Sequence, residues 1–218
     1  METKDYIKSI EGAERRYFAS EVRATRNDDT TDTNSVIEGY AAKFNSETVI
    51  GNYWQYREVI LPGAFDDVLK DDIRALFNHD PNQILARSVN GKGTLEVFVD
   101  ATGLKYRYTT PDRSYAKDLQ NAIDAGDVSQ SSFAFKIKEQ RWIEKEGDME
   151  LREIVAFEKL YDVSPVTYPA YADTEVAKRS LDAANEKNPK EENNDTSEVR
   201  NEKELSAFEA QIFINQNL

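Results

Sequence analysis

With 218 residues, a formal net charge of -13, one histidine and no cysteine, the chain suits one domain with a sizeable core plus tails and is too short for two large domains. Lack of cysteine excludes disulfides, thiolate nucleophiles, iron–sulfur clusters and cysteine-ligated zinc, and a lone histidine excludes two-histidine zinc sites, which leaves oxygen-rich sites for hard cations as the one metal option. The excess of 41 acidic over 28 basic residues argues against a phosphate-tracking nucleic-acid surface, no apolar run approaches the roughly 20 residues of a membrane helix, and Met-Glu-Thr-Lys-Asp-Tyr at the start is not a secretory signal, so a cytosol-like compartment without nucleic-acid or membrane partners is expected.

Arg16 to Arg26 reads as a short strand-like stretch, followed by a polar loop over 27–35. VIEGYAAKFN and YWQYREVILPGAF supply two strands, and Pro62-Gly63 stops the second. Phe65, Val68 and Leu69 at helical spacing predict a short helix over 64–70. In IRALFNHD, Ile73, Ala75 and Phe77 share one parity, and His79 joins that face at the strand's end if the strand runs so far. Thr94–Val99 and Leu104–Thr109 read as strands joined by Asp-Ala-Thr-Gly, a good hairpin connection. Asp112 can cap a helix in which Tyr115, Leu119 and Ile123 recur at helical spacing and Gly126 gives the stop. From Ser131 the period changes to two, on both sides of a Glu-Gly-Asp turn, predicting a long hairpin. Beyond Pro169, TEVAKRSLDAA reads as a helix, residues 182–204 as a disordered polar linker and 205–218 as a short amphipathic helix. Periodicity alone places the fold in the α+β class.

A chain with one imidazole can support serine–histidine chemistry at one place only. Imidazole is suited to take a proton from a hydroxyl at neutral pH and return it to a leaving group, and serine is a weak nucleophile without such a base. The serine cluster SQSSFAF follows the helix stop and opens a strand, where unpaired backbone N–H groups are common. A third group must hold the imidazole's tautomer, and the second histidine that could do so is absent. Asp162 in KLYDVSPV stands beside an apolar, proline-punctuated strand. By spacing alone, a surface or capping histidine and ordinary turn serines are the commoner reading of these residues, and a capping or salt-bridged carboxylate fits Asp162 equally well.

Six segments in order resemble the prohead proteases of tailed bacteriophages, a family similar in fold to the herpesvirus maturation protease assemblin: EGYAAKFN (38–45), REVILPGAF (57–65), LFNHD (76–80), GTLEV (93–97), GDVSQSSFAF (126–135) and YDVSPVTYPAYADT (161–174). The resemblance spans about residues 14–181. It implies a mostly antiparallel β-barrel surrounded by a few helices, preceded by an N-terminal tail over 1–13. It also implies a serine endopeptidase with His79 as base, Ser132 as nucleophile and Asp162 as third member, and needs no cofactor or metal. Ala134 stands where many relatives carry glycine, and Ser131 and Ser129 offer neighbouring registers for the nucleophile. Arg87 follows the histidine motif and is a candidate for substrate or oxyanion binding. Substrates implied are the scaffolding protein or the scaffolding segment of the major capsid protein, and the protease itself, inside proheads assembling in the host cytoplasm. Because assemblin-like enzymes can depend on dimerisation, a homo-oligomer is a further expectation. The alternative is a noncatalytic assembly scaffold of the same fold.

Overall fold

The computed structural model describes residues 11–18, 22–25, 35–51, 55–144 and 148–168. The expected helices beyond Pro169 and the polar linker lie outside these residues. In chain order the elements are β1 (Ala13–Phe18), β2 (Arg23–Thr25), β3 (Val36–Lys43), β4 (Thr48–Ile50), β5 (Tyr56–Ile60), β6 (Ile73–Leu76), β7 (Ile84–Val89), β8 (Lys92–Gly93), β9 (Leu95–Val99), β10 (Gly103–Thr109), α1 (Ser114–Ala125), β11 (Gln130–Ile143) and β12 (Leu151–Val166). The strands form an eight-stranded sheet with the path β1-β11-β12-β6-β7-β8, to which β5 attaches on β12 and β4 on β5, and a four-stranded sheet ordered β2-β3-β10-β9.

The long β11–β12 hairpin is the spine of the larger sheet. Its alternating apolar residues put Phe133, Phe135, Phe157 and Val163 into the core, where burial of one face stabilises a strand that the other face could not hold alone. Phe65 stacks on Phe157 with ring centroids 4.4 Å apart, and Phe133 meets both. β12 then pairs in parallel with β5 through Leu151–Ile154 and with β6 through Asp162 and Val163. Ile37, Leu95, Leu104 and Tyr106 of the smaller sheet join the same core.

The structure is mostly β with one helix among the described residues, and it departs from the expected closed barrel. Closure requires every strand to pair on both sides, whereas β1, β8, β2 and β9 end their sheets. Apolar alternation dictates which face is buried, and it carries no information on whether the last strand meets the first. The expected helix over 64–70 is instead a run of tight turns, with Ala64 N–H bonding Leu61 O, Asp66 N–H bonding Gly63 O and Val68 N–H bonding Phe65 O. These i to i+3 turns still bury Ala64, Phe65 and Val68, so the apolar spacing that suggests a helix is satisfied without one.

α1 forms where its spacing predicts, burying Leu119 and Ile123, and it ends on Gly126 at φ 84°, a left-handed cap that glycine adopts without steric cost. Asp112 does not cap it. The residue before the helix is Arg113, which makes no side-chain cap bond, and the Asp112 carboxylate accepts from Lys117 Nζ instead. β4, β7 and β8 are not evident in the sequence; they are short or, like β7, flanked by polar turns.

Candidate active site

His79 does not sit on a strand. β6 stops at Leu76, and Asn78 and His79 both take left-handed backbone angles, φ 54° and 57°, which asparagine tolerates better than most side chains. This loop is stitched to the end of β12 by Asn78. Its backbone N–H donates to Pro165 O at 3.1 Å, its Nδ2 donates to Thr167 Oγ1 at 3.2 Å and its Oδ1 accepts from Thr167 N–H at 2.8 Å. On the other side Asp80 closes the turn by accepting from Asn82 N–H at 2.8 Å and Gln83 Nε2 at 3.2 Å. The residues flanking the histidine in Asn-His-Asp are thus the clamps that aim it.

Ser132 lies on β11 opposite Ser164 of β12, and Ala134 lies opposite Asp162. Strand alternation sends Phe133 into the core and Ser132 to the other face. Asp162 would not share that face in a regular strand, because it is two residues from core residue Leu160. The ladder slips between Ala134 and Phe135, so that Phe135 pairs with Leu160 and Tyr161 is the extra residue. This bulge reverses the parity, leaving Leu160 and Val163 in the core and Asp162 beside Ser132. Bulges re-aim side chains in this way.

The result is a continuous chain of contacts. Ser132 Oγ lies 2.6 Å from His79 Nε2, and His79 Nδ1 lies 2.6 Å from Asp162 Oδ1. A carboxylate only accepts, so Nδ1–H donates to Asp162; in the neutral imidazole Nε2 then carries a lone pair that can accept the serine O–H. The Arg16 carbonyl, 2.9 Å from Ser132 Oγ, is a second acceptor for that single proton. Ser132 is fully buried, Asp162 is 2% exposed and His79 is 8% exposed. In so dry a setting the contacts are weakly screened by solvent.

The neighbouring serines are placed differently. Ser131 points to the core side and shares a 2.8 Å hydrogen bond with Tyr106 Oη. Gly39 of the EGYAAKFN segment makes room for that pair, since a Cβ there would stand 3.0 Å from Tyr106 Oη and 3.2 Å from Ser131 Oγ. Burial pushes the Tyr106 phenol far above its ordinary range, which keeps it neutral as a hydrogen-bonding group. Ser129 is exposed. Arg87, on β7, commits its fork to Asp72 through Nε–Oδ1 and Nη2–Oδ2 contacts of 2.7 Å each, and this bond to Arg87 is the main reason the Asp72 carboxyl lies below its usual range.

β1 brings a buried charge cluster close to the serine. Arg16 Nε donates to Glu58 Oε1 at 2.6 Å, and Arg152 donates to Glu14 Oε1 at 2.8 Å and to Glu58 Oε2 at 3.0 Å. All four charged side chains are at most 4% exposed. Burial alone would raise the Glu14 carboxyl; the Arg16 and Arg152 guanidinium groups outweigh it and hold the group below its ordinary value. Burial also pushes the Tyr56 phenol beside them up to about 12. Two opposite charges on each side leave no uncompensated ion in the interior.

Residues 20–187, well over half of the chain, match the family model described as caudovirus prohead serine protease. The chain belongs to that family. Among solved structures, the capsid assembly protease of bacteriophage T4 is similar at 12% identity and a TM-score of 0.40, over 71% of this chain and 99% of that one. No curated protein matches. Membership supports a serine protease of phage capsid maturation. Among the described residues no group of three or more His, Asp or Glu side chains could hold a metal ion, and no helix is long and apolar enough to cross a membrane.

Sequence reasoning missed the Tyr161 bulge, the Asn78 clamp and the partner of Asp162 described below. A signal existed for one of them. Asparagine before histidine in a Pro-containing polar turn is a residue suited to left-handed backbone, and such residues often serve to aim a neighbour.

Proposed function

We propose that this protein is a serine endopeptidase of phage head maturation in which Ser132 is the nucleophile, His79 the general base and acid, and Asp162 the group that holds His79. The observation that carries the reading is the unbroken sequence of 2.6 Å contacts from Ser132 Oγ through His79 to Asp162 Oδ1. In the first step Ser132 Oγ bonds to the peptide carbonyl carbon while its proton passes to His79 Nε2. The imidazolium then gives that proton to the amide nitrogen, the C–N bond breaks and the amine departs. Water, deprotonated by His79, adds to the acyl-enzyme and releases the acid and Ser132. Asp162 keeps Nδ1–H directed away from the serine and stabilises the imidazolium formed in each half. Ser132 is fully buried, so substrate entry requires a rearrangement that uncovers it.

The substrates in this reading are the scaffolding protein or the scaffolding segment of the major capsid protein, and the chain itself, cleaved within proheads in the host cytoplasm. The polar stretch over 182–204, rich in Asn, Glu and Lys, is the candidate segment for self-cleavage. The test is the intact mass of wild-type protein and Ser132→Ala after incubation alone and with scaffolding and capsid proteins. Truncated products from wild type and none from the variant are expected. An identical product pattern in both refutes Ser132 catalysis, and no products from either favours a noncatalytic assembly role.

A further inference from the structure

Ser164 stands two residues beyond Asp162 on β12, opposite Ser132 in the ladder, and is fully buried. Its hydroxyl donates to Asp162 Oδ1 at 2.7 Å. That oxygen also receives His79 Nδ1–H at 2.6 Å. We propose that Ser164 is a positioning residue of the catalytic site, which fixes the Asp162 carboxylate so that one oxygen is always presented to His79. The inference rests on the protease reading above.

The torsion that turns an aspartate carboxylate is broad and nearly two-fold, so a buried Asp162 without a second partner could swing its plane away from the imidazole. A hydroxyl has a single proton to donate, and that of Ser164 is committed to Oδ1. The two donors reach the same oxygen from different elements, Ser164 from the strand that carries Asp162 and His79 from the loop clamped to that strand's end. Asp162 is thereby held on both sides. Because a carboxylate carries about four lone-pair sites, two on each oxygen, Oδ1 accepts from Ser164 and His79 at once, and the second bond adds to the hold on the histidine without displacing it. Ser164 acts entirely through Asp162 and His79; its hydroxyl is spent before any substrate arrives.

The experiment compares Ser164→Ala, Ser164→Cys and Ser164→Thr in the full chain. Three readouts are needed: steady-state cleavage of a scaffolding-protein peptide, thermal unfolding, and the downfield proton resonance of the His79 Nδ1–H. With one histidine in the chain, that resonance is identified by its loss in His79→Ala. Removing a hydrogen bond to a charged group is expected to lower kcat about tenfold, with KM near the wild-type value and the resonance displaced. Cysteine, a weak donor, behaves like alanine, and threonine, which keeps the hydroxyl, restores both kcat and the resonance. Wild-type kcat and an unmoved resonance in Ser164→Ala overturn the proposal, as does a fall in kcat that merely follows lost thermal stability and is not rescued by threonine. Absence of any Ser132-dependent cleavage in the wild type sinks the protease reading instead, and the resonance then still decides whether Ser164 holds the Asp162–His79 pair.

Discussion

Asp162→Asn keeps the size of the side chain and removes its charge. The amide oxygen can still accept from Ser164 and His79, so the loss isolates the electrostatic share of the Asp162 role. With Nδ1 and Oδ1 2.6 Å apart, the centres of the imidazolium and carboxylate charges lie about 4 Å from each other. At that distance, with an effective dielectric constant near 20, the attraction is about 4 kcal/mol. At 1.36 kcal/mol per decade of rate this corresponds to a fall in kcat of about a thousandfold. The assay is initial-rate cleavage of a scaffolding-protein peptide by full-length wild-type and variant protein, each shown by circular dichroism to be folded. A variant within threefold of wild type would refute the reasoning, because Asp162 would then contribute no charge stabilisation to the imidazolium. A loss far beyond a thousandfold would point to a reversed tautomer, with the amide NH2 turned toward Nδ1 and Nε2 no longer able to accept from Ser132.

Ser131→Ala is expected to leave reaction with a fluorophosphonate probe intact, since Ser131 faces Tyr106 rather than His79; mass spectrometry should find the adduct on Ser132, and an adduct on Ser131 would reverse the assignment. Arg152→Met leaves Glu14 and Glu58 sharing Arg16 as their one guanidinium partner, with one buried carboxylate charge in excess, and is expected to cost about 3–5 kcal/mol in urea unfolding at neutral pH; a cost under about 1 kcal/mol would mean that the cluster relaxes to water. The Glu14 carboxyl is held below its ordinary value of 4.5, so the stability it contributes is complete above that pH and is lost as pH falls through the depressed value. Glu14→Gln should therefore show a shallower loss of stability than wild type in acid unfolding below pH 4.5.

Residue types and their order settled much of this protein in advance. One histidine and no cysteine exclude a thiol nucleophile and confine serine–histidine chemistry to a single imidazole, and six ordered segments connect that imidazole with the prohead proteases. Period-two alternation located β11 and β12, because burying one face of a strand leaves a direct trace in sequence. What alternation cannot carry is a change of parity. By spacing, Asp162 belongs on the face of Leu160, and only the pairing of β11 with β12 reveals that Tyr161 is extra and that Asp162 turns to Ser132. The same holds for His79, which is 53 residues from Ser132 and 83 from Asp162 in the chain. Its approach depends on left-handed angles at two residues and on Asn78 reaching Thr167, contacts between distant segments that no local pattern records. Whether the strands closed into a barrel was likewise decided by pairing at the sheet edges, since an edge strand and an interior strand can share one apolar pattern and differ only in what lies beside them.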